Sequence, residues 1–249
     1  MPNYKMTRQL IIYLTILLSA CGQKNGTNET LTLNKATAVS IDSLQHFSIT
    51  NATADDFLNA KKVYIDHTLY DTTAFKKNEG KIKLPINEKW RPFVIFTDTL
   101  PANDETGVRE YKYLGQFEKA GFYIVGGSFY EHYESYLVDK RTGSQTTIWN
   151  TPSISPTGKF IANLSMAYGL EGVPNGLQIW NIERQENNQI EPVTIQKYLE
   201  LDQLIWVPDD FVWETDNSLI LKVASVEKYI NESGQQHNGD FYYLRLKLK

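Results

Sequence analysis

The chain has 249 residues, 25 basic against 29 acidic, for a net charge of −4, and one cysteine. The acidic balance argues against nucleic acid as a partner. A single thiol excludes any intramolecular disulfide, so stability must come from packing, for which 15 Tyr, 11 Phe and 5 Trp supply bulky side chains.

Taken from the N-terminus, Lys5 and Arg8 precede the apolar run Leu10–Leu18, and the small residues Ser19 and Ala20 lead into Cys21. Basic, apolar and small segments in that order read as an export signal. The 11 residues from Leu10 to Ala20 would cover roughly 16 Å as a helix, too short for a bilayer core of roughly 30 Å. Leu18, Ser19, Ala20 and Cys21 resemble the lipobox of bacterial lipoproteins. That resemblance implies diacylglycerol on the Cys21 thiol, removal of residues 1–20, and an N-acyl chain on the new terminus. Two or three acyl chains anchor a protein firmly where one does so only marginally. Loss of Lys5 and Arg8 leaves 23 basic and 29 acidic residues, or −6. Gly22 stands where an aspartate would resemble an inner-membrane retention signal. The resemblance therefore implies the outer membrane, facing the periplasm, with the cell surface as the alternative.

Residues 21–40 carry Cys21 and then a polar stretch that reads as a tether, with a span of roughly 25 Å if flexible. Residues 41–249 are read as an all-β domain, the polar loop at 101–110 being the one place where it could subdivide. Thr53 with Asp56 three residues on, then Phe57, Leu58 and Ala60, marks one short helix. Strands are expected at Val63–Ile65, Ile82–Ile86 and Pro92–Phe96. From Tyr111 on, strand follows strand: Phe122–Val125, Ser135–Val138, Gln145–Trp149, Lys159–Leu164, Leu177–Ile182, Val193–Gln196, Phe211–Trp213, Ser218–Val223 and Phe241–Leu248. Asp139–Gly143 reads as a hairpin connection with glycine where a positive φ is needed.

A degenerate repeat runs through this half. Ser155–Ala162 aligns with Glu214–Leu221 at an offset of 59, and Asn175–Leu177 with Asn238–Asp240 at 63. Lys119–Ile124 followed by Tyr136–Asp139 is a weaker third copy. The turn-and-strand segment Ser155–Ala162 is similar to the one that recurs in β-propeller blades, and Leu177–Asn181 to the strand that follows it. The resemblance implies antiparallel strands in propeller-like blades. Three copies are fewer than the 4 to 8 blades of a closed ring, so an open or sandwich-like packing is the alternative. Leu177 and Ile179 alternate with Trp180 and Ile182, which predicts a sheet buried on both faces. Trp149, Trp180, Trp206 and Trp213 are expected mostly in the core.

The chemistry is sparse. His46, His67, His132 and His237 lack metal-ligand spacing and read as surface or hydrogen-bonded groups. Gly126, Gly127 and Ser128 lack the final glycine of a nucleophile elbow, and the glycines read as a bulge or strand end. Asp55 with Asp56, and Asp209 with Asp210, are adjacent, which on a strand would send them to opposite faces. Apart from the covalent lipid on Cys21, no cofactor and no metal is expected. Tyr130, His132, Tyr133 and Glu134 mix rings with hydrogen-bonding groups around a strand connection and are the candidate ligand-binding residues. The same density also suits cross-strand pairs. A lipid-anchored, noncatalytic module binding a protein, glycan or other envelope component fits these features. A glycan- or peptidoglycan-directed hydrolase and a structural or assembly lipoprotein are the alternatives.

Overall fold

The computed structural model describes residues 46–102, 105–166, 172–183, 193–231 and 241–249. Cys21, the tether, His237 and Asn238–Asp240 lie outside the described residues. The fold is all-β, built from antiparallel sheets.

Strand β1 (Phe47–Ala52) is followed by α1 (Ala54–Val63), then by the hairpin β2 (Lys81–Ile86) and β3 (Lys89–Thr97). A 3₁₀ turn at Glu105–Gly107 leads to β4 (Arg109–Phe117), β5 (Phe122–Phe129), β6 (Tyr133–Asp139) and β7 (Gln145–Ile148), which form one four-stranded meander. A second meander holds β8 (Ser153–Ile154), β9 (Phe160–Met166), β10 (Asn175–Glu183) and β11 (Thr194–Asp202). A third holds β12 (Trp206–Thr215), β13 (Ser218–Ser225) and β14 (Phe241–Leu248), with α2 (Val226–Asn231) between the last two. Strand β1 completes it as the outer strand beside β14, Phe47 opposite Leu248 and Ala52 opposite Tyr243.

The sequence repeat falls on equivalent places. Lys119–Ile124, Ser155–Ala162 and Glu214–Leu221 each cover the first turn of a sheet and the start of its second strand. Two of these turns touch at matching positions, the Thr157 amide donating to the Asp216 carboxylate at 2.8 Å.

The sheets stack face to face. Ile82, Leu84 and Phe96 of the hairpin pack on Tyr113, Tyr123, Val125 and Val138. The opposite face of that sheet, with Phe117, Phe122, Ile124 and Leu137, packs on Ile161, Trp180 and Ile182. Leu177 and Ile179, from the other face of β10, pack with Trp206, Trp213, Leu219, Leu221 and Leu246. The middle sheet is thus buried on both sides, as the alternation along β10 predicts. Trp180, Trp206 and Trp213 are buried, whereas Trp149 is half-buried.

The stack is open, with different elements covering its two ends. On the outer face of the third sheet α1 lays Phe57 and Ala60 against Val212 and Ile220, the place a further blade would occupy in a ring. A capping box starts this helix: the Asp56 amide donates to Thr53 Oγ1 at 3.1 Å and the Thr53 amide to the Asp56 carboxylate at 2.9 Å. Asp55 and Asp56 in the first turn and Lys61 and Lys62 in the last complement the helix dipole.

Two local expectations are corrected. Val63 ends α1, and Tyr64 and Ile65 lie beyond it outside any strand. The Tyr64 hydroxyl donates to the Ile154 carbonyl at 2.7 Å, tying the helix end to the second sheet and overriding the local strand preference. Gly126 and Gly127 are regular members of β5, paired with Lys112 and Tyr111 on one side and Ser135 and Glu134 on the other. The register shift lies instead in β4, between Tyr113 and Gly115. Gly143 sits at φ 77 in the β6–β7 turn, where the Asp139 carboxylate accepts the amides of Arg141 and Thr142 at 2.7 and 2.8 Å.

Candidate functional site

The β5–β6 connection and the first two residues of β6 carry the four candidate ligand-binding residues. Phe129 N–H donates to the His132 carbonyl at 2.9 Å, closing a tight turn. The rings of Phe129 and His132 stack in parallel, 4.5 Å apart and 5° from coplanar. Phe129 also meets the edge of Tyr111 at 6.1 Å, and Tyr111, Tyr136 and Phe96 contact one another at 5.2 to 6.0 Å. An aromatic ladder thus runs across β3, β4, β5 and β6 and ends under His132.

The two glycines make room for it. A Cβ on Gly126 would lie 2.2 Å from the Tyr133 hydroxyl, and one on Gly127 3.0 to 3.2 Å from the Phe129 and Tyr136 rings. Successive strand residues face opposite sides, so Gly126 seats Tyr133 on one face and Gly127 seats Phe129 and Tyr136 on the other. Sequence reasoning missed this ladder; the Tyr111 and Tyr113 alternation opposite a two-glycine step was the signal for it.

The Tyr136 hydroxyl donates to Glu134 at 2.8 Å. Burial, then that hydrogen bond and the carboxylate charge, push the Tyr136 phenol far above its ordinary range. His132 Nε2 lies 3.7 Å from Glu134 Oε1, an ion pair only when the imidazole is protonated. Tyr130 is 51% exposed and Tyr133 36%. The structure therefore brings Tyr130, His132, Tyr133 and Glu134 to one end of the sheet, with His132 and half-buried Glu134 beside the ladder and Tyr133 seated on the opposite face. On the ladder side, the His132 imidazole and the Glu134 carboxylate can stack on, and hydrogen-bond to, a sugar or peptide laid across them.

Tyr130, His132, Tyr133 and Glu134 line none of the three cavities that follow. Three cavities lie elsewhere: about 120 Å³ beside His67, Phe117 and Ile154–Gly158, about 310 Å³ beside Thr72, Phe75 and Tyr111–Tyr113, and about 260 Å³ along residues 74–83. His67 borders the smallest of them, and the His46 ring meets Tyr198 edge-on at 5.8 Å. Among the described residues no group of three His, Cys, Asp or Glu side chains could hold a metal ion. Three of the four adjacent acids have structural partners. Asp56 caps α1, Asp209 pairs with Lys222 at 2.7 Å, and Asp210 pairs with Lys61.

Comparison of the chain with protein-family models, with curated proteins and with solved structures yields no match.

Proposed function

We propose that this chain is a lipid-anchored, noncatalytic binding or scaffold module of the cell envelope. Cys21 carries the diacylglycerol and N-acyl chains, holding the protein to the outer membrane on its periplasmic side, and the β5–β6 turn meets a protein or glycan partner. The observation that carries the binding reading is the His132 and Glu134 pair beside exposed Tyr130, mounted on a largely half-buried aromatic ladder that fixes the position of His132 and Glu134. A rigid support of this kind lowers the ordering cost of binding. The hydrolase alternative calls for two facing carboxylates in a cleft, whereas Glu134 lines none of the three cavities and has Tyr136 and His132 as its partners.

A photo-crosslinking amino acid at position 130 in intact cells tests this. The expected result is a discrete crosslinked partner from position 130 and none from position 159, an exposed site on the turns at the opposite end of the strands. Equal yields from the two positions would contradict the reading. Turnover of an envelope glycan that Glu134→Gln abolishes would establish the hydrolase instead.

A further inference from the structure

Residues 74–97 hold six basic and two acidic side chains, net +4, while the rest of the chain holds 19 basic and 27 acidic, net −8. The fold gathers that positive segment into the hairpin at the end of the stack. Because Ile82, Leu84 and Phe96 turn inward, the alternation along β2 and β3 leaves Lys81, Lys83, Phe93 and Ile95 on the outer face, with Lys83 paired to Ile95. Ile95 is 45% exposed, and Lys83 Nζ stands 5.5 Å from the centre of the Phe93 ring. Alongside runs the groove of about 260 Å³, lined by Lys76, Lys81 and Lys83 with Glu79 as the one acid among its lining residues. Lys77 is neutralised by Asp98 at 2.6 Å and Glu110 at 3.7 Å. Lys76, Lys81 and Lys83 have no carboxylate partner among the described residues.

We propose that this outer hairpin face docks on an anionic phospholipid bilayer, the three lysines meeting headgroup phosphates while Phe93 and Ile95 enter the boundary beneath them. Charge complementarity and the mixture of side chains select this occupant. A soluble polyanion would satisfy the lysines and leave Phe93 and Ile95 in water. A bilayer presents phosphate and hydrocarbon a few ångströms apart, which suits long cationic stems lying beside apolar groups. The inference deepens the lipid-anchored reading and rests on it for the nearness of a membrane.

The test uses the lipidated chain reconstituted in vesicles of phosphatidylcholine alone or mixed with phosphatidylglycerol. An amine-acetylating reagent is applied and the rate at each lysine is read by mass spectrometry. Each cation near an anionic surface is worth about a fivefold change in occupancy. Acetylation of Lys76, Lys81 and Lys83 is expected to slow at least about threefold in the phosphatidylglycerol vesicles, with Lys247 unchanged and the protection reduced by Ile95→Glu. Equal rates in the two vesicles overturn the inference, as does equal protection by soluble polyphosphate at matched phosphate. A chain that sediments with neither vesicle contradicts the lipid-anchored reading as well, whereas a sedimenting chain with equal lysine rates contradicts this inference alone.

Discussion

Phe57→Ala tests whether α1 closes the end of the sheet stack. Phe57 is 3% exposed, packs with Ala60 on Val212 and Ile220, and lies 5.3 Å from the Tyr243 ring, with Lys61 Nζ 5.0 Å above its own. Truncating a buried phenylalanine costs about 3–5 kcal/mol. A helix on the outside of a sheet can settle into part of the void, which places the loss near the lower end. At about 3 kcal/mol the melting temperature of a chain this size should fall by about 6–12 °C. Leu58, its neighbour on the same helix, is 52% exposed, so Leu58→Ala should cost less than about 0.5 kcal/mol. Thermal unfolding followed by tryptophan fluorescence compares the two. Equal losses, or a Phe57→Ala protein as stable as wild type, would mean that α1 does not cover the third sheet and that its outer face is open to another partner.

Gly176 lies at φ 154, and a Cβ there would stand 1.8 Å from the Leu201 carbonyl oxygen. Gly176→Ala should cost more than about 3 kcal/mol by forcing β10 from β11, read as a lower urea midpoint; a shift within error would show that the two strands do not approach so closely. Burial pushes the Tyr64 phenol up to about 12 despite the Ser153 hydrogen bond. The folded state therefore holds that proton more tightly than the unfolded chain, whose tyrosine titrates near about 10. The resulting stabilisation is complete below about pH 10 and is lost as pH rises toward the folded value. Tyr64→Phe should flatten the fall in stability over that interval, and an unchanged slope would remove Tyr64 from the account.

Local chemistry made part of this fold readable in advance. Thr53 and Asp56 announce a capping box, and the box is there because both partners sit three residues apart in one strand-to-helix step. The alternation of Leu177 and Ile179 with Trp180 and Ile182 announces a two-faced strand, since only a sheet sandwiched between others can bury both sets. The turn-and-strand repeat locates the first hairpin of three sheets. What remained hidden is long-range. Nothing near Phe47 indicates that β1 will close the sheet of β14, some two hundred residues later. The Val63–Ile65 run has strand-like composition, yet the capped helix extends to Val63 and a distant carbonyl at Ile154 fixes Tyr64. The candidate turn was legible as a cluster of residue types, Tyr130 to Glu134. Its support was not, because the ladder from Phe96 to Phe129 joins four strands whose pairing the local sequence does not encode. The basic hairpin face escaped for a related reason: Lys76, Lys81 and Lys83 gather beside Phe93 and Ile95 only once β2 and β3 pair.

The central claim, attachment through Cys21, is tested most directly by metabolic labelling with palmitate and membrane fractionation of wild type beside Cys21→Ala. The account predicts label and membrane association for the wild type, and loss of label with release from the membrane for the variant. A Cys21→Ala protein that stays membrane-bound with unchanged processing, or a wild type that takes up no label, would contradict it.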